Sequence, residues 1–313
     1  MKYSIDKELE EITRIKMPAN PTFLPIMNKI ISLSKCESDD KVNVIRCKTP
    51  GYNSTLLDTL IIEPVHYQDN LPYMVFFHGG GFMLKASGTH YQIAKTYAEK
   101  IPCRIIYTDY RLAPKYQFPV PAEDCYHTYK WVLENMDNQK LDNPVIIAGD
   151  SAGGALALAV TLMARDRGIR IPDAGLLIYP VTDRRMTTDS MKKYVDTPVW
   201  DANLSKMMWN AYLGKQQPEK IEYASPVEAA SFKHLPPTYI EIAQFDSLRD
   251  DGVSLYDKLQ EQGIKAELHE VEGACHGFES ALESNILKTC MERRINWIKK
   301  TLDLREEKYA YKL

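Results

Sequence analysis

The stretch 145–154 constrains the fold of this chain more than any other. It opens with four apolar residues, three of them β-branched, which predicts a buried strand. Gly-Asp-Ser-Ala-Gly follows at 149–153, and the Ala- and Leu-rich run after it predicts a helix. A strand that turns sharply into a helix at Gly-x-Ser-x-Gly is a nucleophile elbow, which lifts the hydroxyl of Ser151 above the sheet edge.

The two glycines of this motif, Gly149 and Gly153, are expected where the strand and the helix pass very close to each other. The helix that follows points its first N–H groups and the positive end of its dipole toward Ser151. The stretch therefore predicts a serine nucleophile beside a site that favours an oxyanion.

Composition sets the broad class. The chain has 313 residues, of which 44% are hydrophobic and 26% charged, as expected for one large globular domain. Its net charge is −3 and it has no basic block, so nothing favours a nucleic-acid partner. The longest apolar runs, such as those at 145–149 and 174–181, are too short to span a membrane.

The N-terminal residues and the cysteines indicate the cellular compartment. Five of the six residues at 6–11 are charged, where an export signal would need an apolar core, so no such signal is expected. Six cysteines occur without Cys-x-x-Cys or zinc-ligand spacing. We therefore predict free thiols, a cytoplasmic location and no metal site.

Apolar runs and turn residues predict a regular alternation of strands and helices. Strands are predicted at 42–47, 56–62, 73–77, 103–107, 145–149, 174–181, 238–243 and 266–271. Helices are predicted at 89–100, 121–136, 249–262 and 280–301 and directly after the elbow. This order predicts an α/β fold with a mainly parallel, doubly wound sheet of eight strands and helices on both faces. The first two strands lack a helix between them, so we expect an antiparallel edge.

Two segments fall outside this alternation. Residues 1–40 are expected to be helical and amphipathic, with Ile5, Leu9 and Ile12 on one face and a second segment at 22–34. Residues 183–237 are rich in Met, Tyr and Trp. Each segment is either packed core or part of a lid over the site, and an insertion after a strand usually lies at the site. We expect one domain over 1–313, with a helical cap from 1–40 and 183–237.

A serine nucleophile needs a base, and the base needs a group that holds its tautomer. After an elbow of this kind the acid and then the histidine follow along the chain. Of His234, His269 and His276, only the last follows the final predicted strand in a small-residue loop, and we predict it as the base.

The acid is expected in the loop after strand 238–243. Asp246 comes first there, whereas Asp250 and Asp251 stand where a helix N-terminus favours carboxylates. We predict Asp246 as the acid that orients His276.

The developing oxyanion requires backbone donors. One should be the N–H of Ala152, after the serine, and the others should come from the loop after the third strand. Gly79, Gly80 and Gly81 occupy that loop, so bare amides can face a substrate carbonyl. The oxyanion hole is predicted from these four residues.

Together these motifs resemble those of the hormone-sensitive lipase family of esterases, which has the α/β-hydrolase fold. The resemblance rests on five stretches in family order: 78–82, 109–114, 149–154, 246–250 and 276–278. It implies a carboxylic-ester hydrolase for short to medium acyl chains, with Ser151, Asp246 and His276 as its triad. It also implies a helical cap, a small-molecule ester as substrate, no cofactor and often a homodimer.

The chain departs from the family at two positions. Lys115 stands where Glu is usual, and Ser247 stands where Pro usually follows the acid. Both affect the packing of loops rather than the triad. The side chains of His78, Asp109 and Arg111 are expected to anchor loops.

Two further functions stay open. The same triad would serve a deacetylase or amidase, which differs only in its pocket. A non-catalytic small-molecule-binding protein is the rival from another class; plant gibberellin receptors resemble the same family but lack the histidine base, which is present here as His276.

Overall fold

The computed structural model describes residues 2–66, 71–138 and 142–304. Within these ranges, one mixed sheet contains all the strands. The strands are β1 (Val42–Pro50), β2 (Leu56–Pro64), β3 (Tyr73–Phe77), β4 (Arg104–Thr108), β5 (Val145–Asp150), β6 (Ala174–Ile178), β7 (Thr238–Phe245) and β8 (Ala266–Cys275). Each of the eight predicted strands is present.

The strands lie in the order β1-β2-β4-β3-β5-β6-β7-β8. Strand β2 is antiparallel to both of its neighbours, β1 and β4, and every other pair is parallel. The prediction of a mainly parallel sheet with an antiparallel first edge is confirmed. The parallel strands all end at the same edge, so the loops that follow β3, β5, β7 and β8 meet there.

Helices cover both faces of the sheet. They are α1 (Leu24–Ile31), α2 (Gly88–Lys100), α3 (Val120–Asn138), α4 (Ala152–Asp166), α5 (Asp189–Lys193), α6 (Ala202–Leu213), α7 (Arg249–Glu261) and α8 (Asn285–Thr301). Successive residues of β3 enter two separate cores: Val75 and Phe77 pack with α3 and α4, and Met74 and Phe76 pack with α2 and α8. Burial on both faces explains why these strands are apolar throughout rather than alternating.

Two predicted elements are shorter than expected. Strand β6 ends at Ile178 rather than at 181, because Tyr179 adopts a φ of +34° and Pro180 has no N–H for the ladder. Helix α8 begins at Asn285 rather than at 280. Ser284 caps its N-terminus, because its side chain accepts a hydrogen bond from the N–H of Leu287.

The prediction of a helix over the first N-terminal segment is wrong. Short 3-10 turns at Lys7–Leu9 and Ile12–Arg14 replace it, although Ile5, Leu9 and Ile12 are buried as their pattern indicated. The N–H of Asp6 donates to the carbonyl of Gly273 at 2.9 Å, and this contact with the body of the protein outweighs local helix propensity. In the second segment, a turn at Pro21–Phe23 leads into α1.

The segment between β6 and β7 contains α5, α6 and two 3-10 turns. Its Met and aromatic side chains are mostly core: Met191, Met208, Trp209 and Tyr212 are buried in the cluster that α3 and α4 share. These side chains are therefore core residues, and Trp200, which is buried in the same cluster, also lines the cavity described below.

Substituting Gly153→Ala should strongly destabilise the protein. A Cβ at this position would lie 1.9 Å from the carbonyl oxygen of Phe77, in the backbone of β3. We expect the free energy of unfolding to fall by roughly 3 kcal/mol or more, as measured by urea denaturation. The control is Gly168→Ala, beyond the end of α4, where φ is +68° but an added Cβ would meet nothing within 4 Å. We expect this variant to lose only about 1 kcal/mol in its free energy of unfolding. An equal loss in both variants would contradict the close contact.

Candidate active site

The turn from β5 into α4 holds Ser151 in a strained backbone conformation. Its φ is +53° and its ψ is −119°, outside the regions that L-residues favour. The N–H of Ser151 donates to the carbonyl of Ile178 at 2.8 Å, which fixes the turn against β6. A Cβ on Gly149 would lie 2.3 Å from the backbone of Gly153, so only glycine permits this crossing. The expected close approach of strand and helix is present.

Three side chains from separate loops meet above this turn. His276 Nε2 lies 3.0 Å from Ser151 Oγ, and His276 Nδ1 lies 2.7 Å from Asp246 Oδ2. All three residues are at most 5% exposed. The structure thus brings together the nucleophile, base and acid that the sequence predicted, each within hydrogen-bond distance of the next.

The carboxylate of Asp246 is held in place by its own loop. Its Oδ1 accepts a hydrogen bond from the N–H of Leu248 at 2.9 Å, which leaves Oδ2 for His276. The competing carboxylates serve other partners: Asp250 accepts from the N–H of Ser190, and Asp251 accepts from the backbone N–H groups after β6. Burial raises the pKa of Asp251 well above its usual value.

The other two candidate histidines lie elsewhere. His269 lies in β8, and its ring stacks on that of Tyr239 in β7. Its Nε2 lies 3.6 Å from Glu267 Oε2. His234 is exposed and adopts a φ of +67° in the loop before β7. Neither has a hydrogen bond to Ser151 in the described part of the chain.

The glycine loop after β3 supplies backbone donors of two kinds. The N–H of Gly79 donates to Asp150 Oδ1 at 3.0 Å, so it is occupied and is removed from the predicted oxyanion hole. Gly80 and Gly81 have φ values of +105° and +60°, which favour glycine. Within the described ranges, their N–H groups and that of Ala152 donate to no protein acceptor.

His90 lies beneath this loop and was not predicted. Its Nε2 lies 3.2 Å from Asp150 Oδ2, and its Nδ1 accepts a hydrogen bond from the N–H of Ser87 at 3.0 Å. Burial opposes the charged form of His90, but Asp150 outweighs it and raises the pKa of His90. The spacing Ser87-x-x-His90, which caps α2, is the one sequence signal that could have found this contact.

The anchoring roles expected from the sequence are seen in the contacts. The buried ring of His78 stacks on Tyr110, and burial lowers the pKa of His78 to about 4. Arg111 forms a two-pronged ion pair with the buried carboxylate of Asp124, and Asp109 pairs with Lys85. Of the two departures from the family, Lys115 lies exposed over the ring of Tyr116, and Ser247 is fully buried after Asp246.

A buried ionic cluster lies behind His276. The fully buried guanidinium of Arg294 on α8 pairs with Glu241 of β7 and with Glu279. Tyr179 donates its hydroxyl to Glu279, and its ring centroid lies 4.5 Å from that of His276. Burial, with Glu279, raises the pKa of Tyr179 well above its usual value, so this tyrosine remains a donor. The cluster fixes the loop that carries His276.

A cavity of about 140 Å³ opens beside Ser151. Its apolar wall includes Met17 from the N-terminal segment and Val199 and Trp200 from the segment between β6 and β7. A Cβ on Gly81 would lie 2.5 Å from Trp200 Cη2, so the indole ring lies directly against the glycine loop. Val199 adopts a φ of +64°, which is rare for a β-branched residue, and its N–H donates to the carbonyl of Ile15 at 3.2 Å.

The described residues contain neither a membrane-spanning helix nor a cluster of metal ligands. No helix among them is both long and apolar enough to cross a bilayer. No group of three or more His, Cys, Asp or Glu side chains in these ranges is arranged to hold a metal ion.

Comparisons with known proteins place the chain in a family. A family model described as the alpha/beta hydrolase fold matches residues 74–280. Esterase LipI of Mycobacterium tuberculosis is 32% identical over 216 residues, 67% of each chain. Arylacetamide deacetylase of Bos taurus is 30% identical over 294 residues, 73% of each. Among solved structures, a bacterial heroin esterase superposes with a TM-score of 0.87 at 27% identity, covering 96% of this chain and 98% of that one.

The matched range includes the glycine loop, the elbow and the loops that carry Asp246 and His276. The chain therefore belongs to the α/β-hydrolase family, in the hormone-sensitive-lipase-like group of esterases.

Proposed function

We propose that this ester hydrolase works through an acyl-enzyme formed on Ser151, with His276 as the base and Asp246 as the acid that orients it. The observation that carries the proposal is the pair of contacts at His276, 3.0 Å to Ser151 Oγ and 2.7 Å to Asp246 Oδ2. A serine hydroxyl is a weak nucleophile at neutral pH, and this arrangement activates it.

In the first step, Ser151 Oγ attacks the ester carbonyl as His276 Nε2 takes its proton. His276 then gives that proton to the departing alcohol, and the acyl group stays on Ser151. A water molecule, deprotonated by His276, then attacks the acyl carbon. The bond from this carbon to Ser151 Oγ breaks, His276 returns the proton to Oγ, and the carboxylic acid leaves. Asp246 holds the Nδ1 proton of His276 and stabilises the imidazolium that forms in each step.

The oxyanion of each tetrahedral intermediate is proposed to bind the N–H groups of Gly80, Gly81 and Ala152. Ala152 is the first residue of α4, so its N–H has no partner within the helix. Asp150 holds the glycine loop through the N–H of Gly79, and His90 holds Asp150 from the other side. Donors fixed before the substrate arrives stabilise the transition state without reorganising.

The cavity supports a short acyl group. Its volume of about 140 Å³ is close to that of an engineered cavity of about 150 Å³ that binds benzene in another protein, so an acyl group of up to about six carbons fits. We propose that a cap formed by about 1–40 and about 183–237 closes this space. Met17 of the first segment lies in the cavity wall, as do Val199 and Trp200 of the second.

Amide hydrolysis is the second candidate. The similarity to an arylacetamide deacetylase favours it, because the same triad would attack either bond. Comparing kcat/KM for 4-nitrophenyl acetate and 4-nitroacetanilide, which share the acetyl group, decides between an esterase and an amidase.

The location and the assembly are also proposals. Six unpaired cysteines support a cytoplasmic location, since five of them are buried close to apolar residues and none forms a disulfide. A homodimer stays a prediction from the family resemblance, and light scattering tests it.

Substituting Ser151→Ala should lower kcat for 4-nitrophenyl butyrate by roughly 10⁵-fold, because the nucleophile is lost. A fluorophosphonate probe should label the wild-type chain at Ser151, as located by mass spectrometry, and should not label the variant. The control is Ser32→Ala, an exposed serine, which should keep full activity. Retained turnover in the Ser151 variant would refute the assignment, and a wild type that neither turns over nor labels would support a binding protein.

Substituting Trp200→Ala should extend the accepted acyl chain, because it removes the indole from the cavity wall. We expect the ratio of kcat/KM for 4-nitrophenyl octanoate to that for the butyrate to rise by roughly tenfold or more. Trp200→Phe should give a smaller change, and Trp131→Ala on α3 should give none. An unchanged ratio in a folded Trp200→Ala variant would show that the acyl group binds elsewhere.

His90 should make stability depend on pH. A group whose pKa is raised on folding stabilises the protein below its unfolded pKa and loses this contribution as the pH rises through the folded pKa. We therefore expect the stability difference between wild type and His90→Gln to be largest below pH 6.5, the ordinary value, and to shrink as the pH rises above it. Urea denaturation across this range measures it, and a constant difference would contradict a raised pKa of His90.

A further inference from the structure

Exposed apolar side chains are concentrated near the N-terminus. In the described part of the chain, nine large apolar side chains are well exposed, and five of them lie within 15–33. These five are Ile15, Phe23, Ile26, Ile30 and Leu33. We call them, with the lysines among them, the N-terminal face. A contiguous apolar patch of this kind on a folded protein marks an interaction site.

Helix α1 has apolar residues on two opposite sides. Leu24 is buried, and Met27 and Ile31 pack against the core. Ile26, Ile30 and Leu33 are spaced four and three residues apart, which places them along one line of the helix and its C-terminal turn. They are 60%, 62% and 76% exposed, so this side has no protein partner in the described structure.

The charges between the acidic residues Glu11 and Glu37 have a single sign. Residues 12–36 contain Arg14, Lys16, Lys29 and Lys35 and no Asp or Glu, in a chain whose net charge is −3. Arg14 faces Glu10 at 3.8 Å. The three lysines are exposed, and none of them pairs with a carboxylate in the described residues. Apolar side chains bordered by free lysines are typical of helices that lie on an anionic lipid surface.

We propose that the N-terminal face docks on an anionic lipid bilayer. The aliphatic and aromatic side chains would enter the boundary between headgroups and acyl chains, and Lys16, Lys29 and Lys35 would face the headgroup charges. A second copy of the chain is a poorer occupant. A twofold interface pairs a patch with itself and would set Lys29 and Lys35 against their own copies without an acidic partner.

The face lies next to the proposed cap of the active site. Met17, two residues after Ile15, lines the cavity, and the carbonyl of Ile15 accepts the N–H of Val199. On α1, Asn28 donates to the carbonyl of Met83 at 2.9 Å and accepts the N–H of Lys85 at 2.8 Å, just after the glycine loop. A docked chain would take up apolar esters from the bilayer beside Ser151. This advantage rests on the proposed function, whereas the docking itself does not.

The test is co-sedimentation of the full chain with vesicles of pure phosphatidylcholine or of phosphatidylcholine with phosphatidylglycerol. We expect the wild type to sediment with the anionic vesicles and to be released by high salt, because screening weakens the lysine contribution. The variant Ile26→Ser/Ile30→Ser/Leu33→Ser should bind at least roughly tenfold more weakly. Its turnover of soluble 4-nitrophenyl butyrate should match that of the wild type, so a failure of docking is distinguishable from a failure of the catalytic assignment.

Matched control variants test whether binding depends on the N-terminal face rather than on exposed apolar side chains or lysines elsewhere on the protein. Ile45→Ser/Leu56→Ser removes two apolar side chains of β1 and β2 that are 46% and 64% exposed, and should leave binding intact. Lys29→Glu/Lys35→Glu should abolish binding, whereas Lys206→Glu/Lys265→Glu should not.

Three results would overturn the proposal. One is a wild type that sediments with neither vesicle. Another is equal binding by the variants of the face and their controls. The third is a wild-type dimer that the triple serine variant converts to a monomer without any vesicle binding, which would assign the face to a second copy.

Discussion

The crossing of β5 and α4 is the constraint on which the site depends. The first turn of α4 lies so close to β3 and β5 that a Cβ on Gly153 would touch the Phe77 carbonyl and one on Gly149 would touch Gly153. This contact leaves Ser151 at a positive φ, with its hydroxyl above the sheet and the first N–H groups of α4 beside it. Sheet order then brings the loops after β3, β7 and β8 to the same place, so the glycine loop, Asp246 and His276 meet beside Ser151.

Convergence alone would not fix the imidazole within hydrogen-bond distance of both partners. One buried polar network does so, and a second one holds the glycine loop. Behind His276, Arg294 joins β7, α8 and the His276 loop through Glu241 and Glu279. Beneath the glycine loop, His90 and Asp150 hold the N–H of Gly79. Buried charges are costly unless each is paired, so these networks tolerate little displacement of the elements they join.

The N-terminal segment has two different sides. Met17, Val199 and Trp200 line the cavity beside Ser151, and the two segments that carry them are joined by the hydrogen bond from the N–H of Val199 to the carbonyl of Ile15. The strained φ of Val199 is maintained by this contact and by the ring of Trp200 against the glycine loop. The outer side of the same N-terminal segment carries the exposed apolar side chains and unpaired lysines, so a surface that binds there lies beside the cavity.

The sequence by itself determined the strands, the elbow and the candidate triad, because each has a local signature: apolar runs for strands buried on both faces, Gly-x-Ser-x-Gly for the turn, and chain order for Asp246 and His276. Tertiary structure alone decided which backbone N–H groups of the glycine loop have no protein acceptor, because the N–H of Gly79 donates to Asp150, 71 residues away in the chain. It also decided the roles of His90, Arg294 and Trp200 and replaced the first N-terminal helix by short turns. These outcomes depend on contacts between residues distant in the chain, which local propensity does not encode.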